Sequence, residues 1–176
     1  MPELRLLHAD HAPAVLAFEV ANRAYFAASV SDRGDDYFDR FAGHYRALLA
    51  EQEAGTCAFY VLVGDDGSVL GRFNLYDLSD GTAVLGYRVA QRVAGRGVAT
   101  TTVRELCRPA AAEHGLRTLR AAAADENVAS TRVLVKAGFV PVGPAEPGGK
   151  PGTWYRRDLQ DLSADHAGLR RGPGGA

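Results

Sequence analysis

The sequence contains few of the residues that form disulfides or bind metal ions. Two of its 176 residues are cysteines, Cys57 and Cys107. Both stand in apolar segments, so we expect two reduced core thiols rather than a disulfide or a catalytic nucleophile. His8 and His11 lie three residues apart, but a strand-to-helix boundary separates them and no other ligand is close in sequence. We therefore expect no metal site.

The sequence also lacks a surplus of charge and a long apolar run. Its net charge is -1 and its pI is about 6.5. This balance gives no basic field for a nucleic-acid backbone, and no segment reaches the length of a membrane span. The first residues, MPELRLLHADH, lack the basic and then apolar order of a signal peptide. We expect a cytoplasmic monomer or homodimer whose partners are small molecules or peptides, with no nucleic acid and no membrane among them.

Length and hydrophobic content together limit the number of domains. With 176 residues, of which 47% are hydrophobic, the chain can bury one core but is too short for two ordinary domains. We predict a single domain over residues 1–162. The Gly- and Arg-rich segment 163–176 has no hydrophobic periodicity, and we predict that it is disordered.

Hydrophobic periodicity in the first half predicts a strand, two helices and three more strands. The first strand covers residues 4–7, and Asp10 can cap the helix that follows. An apolar stripe over residues 37–49 marks the second helix. Three alternating runs, separated by turns rich in Gly and Asp, indicate an antiparallel meander. These runs cover residues 57–63, 69–76 and 83–89.

The second half alternates helices with strands. A helical stripe runs over residues 98–114, in which Pro109 predicts a kink or an early end. A strand over 116–124 and a helix over 127–137 follow, and two closing strands cover 139–143 and 153–159. We therefore predict an α/β fold with a mixed, mostly antiparallel central sheet flanked by helices. The strands before and after the first of these helices should lie parallel, with a right-handed crossover.

A glycine-rich loop, VAGRGVAT over residues 93–100, separates a strand from a helix. Amides at a helix start have no internal partner and the helix dipole adds positive charge, so such a loop forms a phosphate cradle. Arg96 adds a charged donor. A P-loop would end in Gly-Lys-Ser or Gly-Lys-Thr, and a dinucleotide fingerprint would have a third glycine where Thr100 stands, so neither motif fits. A tight turn without a ligand remains an alternative.

Three segments together resemble the GNAT superfamily of acetyl-CoA-dependent N-acetyltransferases. They are GYRVAQRVAGRGVAT, NVASTRVLVKAGFVPVG and TWYRRDL. The resemblance covers residues 4–162 and is closest to the RimJ/RimL-like branch, which acetylates protein N-termini. It implies a GNAT-like fold with a strand–Gly loop–helix–strand unit for acetyl-CoA. It also implies an acceptor that is a protein or peptide N-terminal α-amine, of the ribosomal-protein type, or a small amine of low pKa.

The resemblance further implies which residues bind the cofactor. Main-chain amides of the glycine loop would hold the coenzyme A pyrophosphate, and the strand edge at Arg88 and Val89 would hydrogen-bond the pantetheine arm like an added strand. Asn127 matches an asparagine that faces the cofactor, and Ser130 matches a position that returns a proton to the departing thiolate. The full set is Arg88, Val89, Gly95, Arg96, Gly97, Val98, Ala99, Thr100, Asn127 and Ser130.

In the RimJ/RimL-like branch the first helix walls the acceptor site, and one stretch of this sequence resembles it. The stretch contains Asn22, Arg23, Tyr25 and Phe26. Tyr25 and Phe26 could equally belong to the core, because aromatic residues at helical spacing usually do. We expect Asn74, Tyr76 and Tyr87 to project from the sheet toward the same cleft, although Tyr87 could simply pack.

Acetyl transfer needs a neutral amine, stabilisation of the developing oxyanion and a proton for the leaving thiolate. From the family resemblance we assign the oxyanion donor to the backbone amide of Val89 and the proton to Ser130. The candidate bases are Glu19, Asp77 and Asp80, acting directly or through water. Each of the three could equally be a solvated surface carboxylate, because Asp and Glu are mostly exposed.

Val84 stands where many GNAT relatives carry a glutamate, so a strong base is missing at that position. An α-amine, with a pKa of about 7.7–8.0, is roughly one quarter neutral at about pH 7.4, whereas a lysine amine, with a pKa of about 10.4, is neutral in about one molecule per thousand. We therefore expect an α-amine acceptor in preference to lysine. The missing glutamate also leaves open a non-catalytic domain of this fold that binds acyl-CoA as a sensor.

Overall fold

In the computed structural model, which describes residues 1–160, seven strands form one sheet. They are β1 (Glu3–Leu6), β2 (Ala58–Val63), β3 (Val69–Ser79), β4 (Thr82–Val89), β5 (Thr118–Ala124), β6 (Val140–Ala145) and β7 (Gly152–Asp158). Their order across the sheet is β1-β2-β3-β4-β5-β7-β6. Neighbouring strands are antiparallel except β4 and β5, which are parallel. The predicted fold class, the meander and the parallel pair are confirmed. The predicted tail and the last two residues of the predicted domain lie outside the described residues.

Within the described residues, six α-helices flank the sheet. They are α1 (Ala12–Ala21), α2 (Arg23–Ala27), α3 (Asp35–Asp39), α4 (Phe41–Glu53), α5 (Val98–Ala112) and α6 (Val128–Lys136). The first half therefore has four helices where the sequence pattern predicts two. The first break falls at Asn22, whose side-chain amide donates to the carbonyl of Phe18 at 2.9 Å and so competes with the helical ladder. Within residues 1–160, no helix is long and apolar enough to cross a membrane.

The start of α1 differs from the prediction. Asp10 is not its cap. Instead, Nδ1 of His8 accepts from the backbone N–H of Asp10 at 3.2 Å and caps a 3-10 turn over Ala9–His11. The α-helix begins after that turn, with Pro13 in its first turn. Proline suits this position because its fixed φ is helical and its missing N–H would have had no helical partner.

Pro109 lies inside α5 without breaking it. The helix continues to Ala112 and ends two residues before the predicted end at His114. The backbone N–H of Glu113 closes the last turn on the Pro109 carbonyl at 2.8 Å. Gly115 follows with φ 63, a left-handed conformation that glycine adopts without strain. The helix therefore runs three residues past the proline, and the early end that Pro109 predicts is not found.

The two faces of the sheet bury separate apolar clusters. On one face α5 and α6 pack through residues such as Val103, Leu106 and Leu134. On the other face α1 to α4 pack through residues such as Val15 and Phe41. Because side chains alternate along a strand, neighbouring residues of β3 and β4 contribute to opposite faces. This alternation determines which of the candidate site residues on β3 and β4 lie on the same face of the sheet.

The parallel pair β4 and β5 is joined over only part of its length. Residues Thr82 to Val84 pair with Thr118 to Arg120, and the pairing ends there. Beyond that point β4 stays paired with β3 up to Val89, while β5 stays paired with β7 up to Ala124. The sheet therefore opens into a gap between β4 and β5. The chain leaves β4 at the open end of this gap and enters the glycine loop that precedes α5.

Candidate active site

The edge of β4 offers main-chain hydrogen-bonding groups to the gap. The backbone N–H of Ala90 donates to Leu70 of β3 at 2.8 Å. In an antiparallel pair the residues that bond to the partner alternate with residues whose N–H and C=O point the other way. By this alternation Val89, Tyr87 and Leu85 direct their main-chain groups toward β5, where pairing stops at Val84. The main-chain groups of Arg88 bond to β3 instead, so of the two residues predicted to pair with the pantetheine arm only Val89 faces the gap. An extended ligand in the gap therefore finds a free strand edge.

The glycine loop ends in a helix start without an internal cap. Gly97 is the N-cap of α5, and no side chain caps the helix. The first helical bond runs from the N–H of Thr101 to Gly97 at 3.0 Å, which leaves the amides of residues 98–100 without helical acceptors. Gly95 and Gly97 have φ 74 and φ 76, and a Cβ on either would meet no protein atom within 4 Å. These residues fit an anionic group such as a pyrophosphate.

Ser130 and Tyr87 form a hydrogen-bonded pair on the α5–α6 side of the gap. The two hydroxyl oxygens are 2.9 Å apart. Asn127 caps α6 by accepting from the backbone N–H of Ser130 at 3.1 Å, which fixes the start of that helix. Tyr87 stacks on Phe73 with ring centroids 5.9 Å apart. Burial raises the pKa of the Tyr87 phenol, so it carries its proton at neutral pH.

The expectation that Tyr87 shares a cleft with Asn74 and Tyr76 is wrong. Tyr87 lies directly opposite Phe73 of β3, so both side chains point toward α5. Asn74 and Tyr76 occupy the alternate positions of β3 and point toward α1. The pairing with Ser130 was missed by sequence reasoning. The alternation of apolar residues along β4 was the signal that could have placed Tyr87 on the α5 face.

Asn74 and Tyr76 form a hydrogen-bonded polar pair on the face of the sheet that packs against α1. The side-chain amide of Asn74 donates to the Tyr76 hydroxyl at 3.0 Å. Asn74 is 9% exposed, and its Oδ1 has no hydrogen-bond partner among residues 1–160. The ring of Tyr76 lies over Gly86, where a Cβ would approach it to 3.1 Å. Val84 stands directly opposite Tyr76 on β4. A buried acceptor left unpaired is costly, so a donor from a bound molecule suits this position.

Of the four candidate acceptor residues near α1, two are engaged in holding the fold. Asn22 Oδ1 accepts from the backbone N–H of Gln91 at 2.9 Å and ties the end of α1 to the loop after β4. Arg23 pairs with Asp32 and Asp35, both at 2.8 Å.

The two aromatic candidates differ in their burial. Tyr25 is 37% exposed. Phe26 is buried, and its ring lies 4.6 Å from the guanidinium carbon of Arg88. Phe26 is thus the candidate that reaches the side chain of a β4 residue.

Glu19 is buried, contrary to the expectation of a solvated carboxylate. Its oxygens lie 2.8 Å from Arg72, 3.1 Å from Arg33 and 3.5 Å from Arg88. Burial raises the pKa of Glu19, but the charges of Arg33 and Arg72 outweigh it, so the pKa lies below its ordinary value. Sequence reasoning missed Arg72 and Arg33. A charged residue inside the apolar strand VLGRFNLY was a signal of a buried partner.

The other two candidate bases are exposed. Asp77 and Asp80 lie where β3 turns toward β4, with φ 53 and φ 51. For these two the expectation of a solvated carboxylate is confirmed. In the described part of the chain, no group of three His, Cys, Asp or Glu side chains could hold a metal ion. Cys57 and Cys107 are both free thiols.

Comparisons with known proteins agree with this geometry. The family model described as "Acetyltransferase (GNAT) domain" matches residues 3–140. A probable N-acetyltransferase of Bacillus subtilis (strain 168), YjcK, is 29% identical over 145 residues, which cover 77% of this chain and 78% of that protein.

Solved structures with the same fold include enzymes named for different acceptors. A ribosomal-protein-S5-alanine acetyltransferase from Vibrio fischeri superposes with a TM-score of 0.83 at 18% identity, over 91% of this chain and 94% of the other. A spermidine N-acetyltransferase from Vibrio cholerae, solved with CoA and spermine, superposes with a TM-score of 0.75 at 16% identity, over 90% of this chain and 96% of the other. At these identities the likeness shows the fold and not the acceptor.

Proposed function

The chain belongs to the GNAT acetyltransferase family, and on that premise we propose that it transfers an acetyl group from acetyl-CoA to the α-amine of a protein or peptide N-terminus, or to a small amine of similarly low pKa. The observation that carries the proposal is the gap between β4 and β5. A free strand edge and an uncapped helix start meet at its open end. Together they offer hydrogen-bond donors and acceptors to a long ligand with an anionic group.

The cofactor would be held mainly by main-chain groups. The amides of residues 98–100 would receive the pyrophosphate, with Gly95 and Gly97 leaving room for its approach. The edge of β4 at Val89 would pair with the pantetheine arm, as a strand pairs with an added strand. Acetyl-CoA supplies an activated thioester, and the remaining tasks fall to residues of this chain.

The acceptor amine would approach from the α1 side of the sheet. Oδ1 of Asn74 is buried without a partner and would accept a hydrogen bond from an amine N–H. The backbone N–H of Val89 points into the gap and would donate to the oxyanion that develops during attack. These two groups would hold the nucleophile and the carbonyl oxygen on either side of the reacting carbon.

The departing thiolate would receive its proton from the α6 side. The Ser130 hydroxyl would donate it, and Tyr87, 2.9 Å away, would return a proton to Ser130. The proton that the amine loses during the transfer would pass to water, and Tyr87 would regain its own proton from water. The raised pKa of Tyr87 keeps the phenol protonated until it is needed.

The choice of an α-amine follows from the weak bases at the site. Glu19 is poorly suited to take a proton, because three arginines surround it and its pKa is lowered. Val84 has no proton-accepting group where many relatives have glutamate, and Asp77 is exposed. An acceptor that is already partly neutral at physiological pH therefore suits this site better than a lysine side chain.

The test compares two peptides in a thiol-release assay with acetyl-CoA, using mass spectrometry to locate the acetyl group. One peptide has a free N-terminus and no lysine, and the other has a blocked N-terminus and one lysine. We expect faster transfer to the free N-terminus between pH 7 and 8. Faster transfer to the lysine peptide contradicts the proposed acceptor. Tight coenzyme A binding without transfer to any amine would instead support the acyl-CoA sensor.

A further inference from the structure

Positive charge exceeds negative charge around Glu19. The single carboxylate of Glu19 is shared by the guanidinium groups of Arg33, Arg72 and Arg88. Arg72 and Arg88 lie directly opposite each other on β3 and β4 and point toward α1. Two of the three positive charges therefore have no carboxylate of their own at this place.

The neighbouring carboxylates are already engaged. Both oxygens of Asp32 accept from Arg23, and Asp32 also accepts from the backbone N–H of Gly34. Hydrogen bonds from Arg23 lower the pKa of Asp32 to about 2. Asp35 also pairs with Arg23.

The next acidic residue along the chain is also paired. Asp36 pairs with Arg40 at 3.0 Å and lies 3.9 Å from His44. Glu19 is therefore the one acidic side chain within residues 1–160 that is paired with the three arginines.

Arg88 has the weakest protein contact of the three. The hydrogen bond from its guanidinium to Glu19 is 3.5 Å long, and within residues 1–160 its side chain makes no other hydrogen bond. Its side chain is 24% exposed, and that of Arg33 is 30% exposed. Both arginines line a small cavity between α1, α2 and β4, together with Phe26 and Phe38. Its wall also contains Glu19 and the paired Arg23 and Asp32. A guanidinium has five N–H donors, so Arg88 and Arg33 keep donors free for a ligand in this cavity.

The cavity lies on the face from which the acceptor would approach. Arg72 and Asn74 are two residues apart on β3, a spacing of about 7 Å along a strand. Arg88 stands across from Arg72, and it directly precedes Val89 on β4. An amine held at Asn74 would therefore place its nearest substituent within reach of Arg88.

We propose that Arg88 and Arg33 form a carboxylate-binding subsite for the acceptor. The preferred acceptor is then a primary amine that carries a carboxylate on the same residue. The inference rests on the proposed function, because it uses the approach of the amine from the α1 side. Guanidinium groups match the planar geometry of a carboxylate, and charge-assisted hydrogen bonds are the strong ones. A polycationic amine such as spermidine would be repelled from the same cavity.

Two matched pairs of acceptors test the subsite and separate the two sources of a carboxylate. The peptides Asp-Ala-amide and Asn-Ala-amide differ in a side-chain charge. Alanine and alaninamide differ in the α-carboxylate, which also raises the pKa of the amine, so kcat/KM in both pairs is compared per neutral amine. We expect kcat/KM to be about tenfold or more higher for the charged member of at least one pair. Which pair shows the preference identifies the source of the carboxylate.

Variants of the arginines test whether they cause the preference. R88Q should abolish the charge preference while the Kd of coenzyme A stays within about twofold of wild type. R33Q, at a more exposed position, should reduce the preference and guards against a folding defect in R88Q. R5Q is the matched control, because Arg5 lies on β1 and pairs only with Glu3 among residues 1–160. Its charge preference should equal that of the wild type.

The outcomes separate the subsite from the proposed function. Equal kcat/KM within both pairs, a preference for spermidine, or a preference that survives in R88Q and R33Q overturns the subsite and leaves the acetyltransferase standing. If R88Q lowers the affinity for coenzyme A as well as for the acceptor, Arg88 belongs to the cofactor site, and the proposed subsite is overturned. If no amine is acetylated, calorimetry with coenzyme A present measures the binding of the two peptides directly. If no amine is acetylated but wild type binds Asp-Ala-amide more tightly than Asn-Ala-amide, and R88Q does not, the function fails and the subsite stands.

Discussion

The two sides of the gap between β4 and β5 are built from different parts of the chain. The α5–α6 side offers mainly main-chain groups: the edge of β4 and the amides of residues 98–100. The α1 side offers side chains, including Asn74, Arg88 and the buried Glu19. Main-chain groups are present whatever the residue, whereas side-chain groups vanish with one substitution. A fold of this kind can therefore keep its cofactor side while its acceptor side changes.

The largest effect should come from removing the charge of Glu19. E19Q leaves three buried or half-buried guanidinium groups without a carboxylate, and breaking such a cluster costs about 3–5 kcal/mol. Urea unfolding measures the loss. The coenzyme A affinity of the folded variant should remain close to that of the wild type, because the main-chain side is untouched. An equal fall in coenzyme A affinity would show that the two sides are not independent.

The same carboxylate sets a pH dependence of stability. Because the folded pKa of Glu19 is lowered from 4.5, its contribution is fully present above pH 4.5 and is lost as pH falls through the folded value. The wild type should therefore lose stability in acid more steeply than E19Q. E3Q is a matched control, since Glu3 is exposed and pairs with Arg5. A curve for E19Q that parallels the wild type would contradict this role of Glu19.

The second largest effect should be a loss of kcat when the polar groups on the α5–α6 face are removed. Removal of the Tyr76 hydroxyl on the opposite face should change the acceptor KM instead. S130A should lower kcat by about 100-fold with little change in the KM of the acceptor, as expected for a general acid. Y87F keeps the ring that stacks on Phe73 and should lower kcat by about tenfold. Y76F removes the hydroxyl beside Asn74 and should raise the acceptor KM instead. Identical changes in Y87F and Y76F would erase the distinction between the two faces.

A third effect concerns the glycine loop. Gly97 and Gly67 both have a left-handed φ, and a Cβ on either would meet no protein atom within 4 Å, but only Gly97 precedes α5. G97V and G67V should each lose about 1–2 kcal/mol of stability from backbone strain. G97V should in addition weaken coenzyme A binding by about tenfold or more, since its side chain would occupy the approach to the amides. Calorimetry decides the point, and equal affinities in the two variants would assign the loop another purpose.

The smallest effect should come from Asn127. N127A removes the cap of α6 and should cost about 1 kcal/mol of stability. N127S restores a side-chain oxygen that accepts from the backbone N–H of Ser130. It does not restore the side-chain NH2 group of asparagine, which could face the cofactor. We expect thermal unfolding of N127S to approach the wild type while its coenzyme A affinity stays reduced. Full recovery of both would make Asn127 a helix cap and nothing more.

Local patterns predicted the parts of the structure that depend on neighbours in sequence. Alternation indicated the meander, and the glycine loop indicated the uncapped helix start at Gly97. The break at Asn22 was missed, because its side chain bonds within its own helix and propensity alone does not show that. The pairing of Glu19 with Arg72 was missed for a different reason. The two residues are 53 positions apart, and only the packing of α1 on the sheet brings them together.

The partial pairing of β4 and β5 leaves the two halves of the sheet joined by few ladder pairs. Strands β1 to β4 form one half and β5 to β7 the other, and three residue pairs between Thr82 and Val84 and their partners join the halves directly. A pantetheine arm bonded along β4 would brace the two halves where the ladder is absent. Amide exchange in β7, which does not border the gap, should then slow when coenzyme A binds.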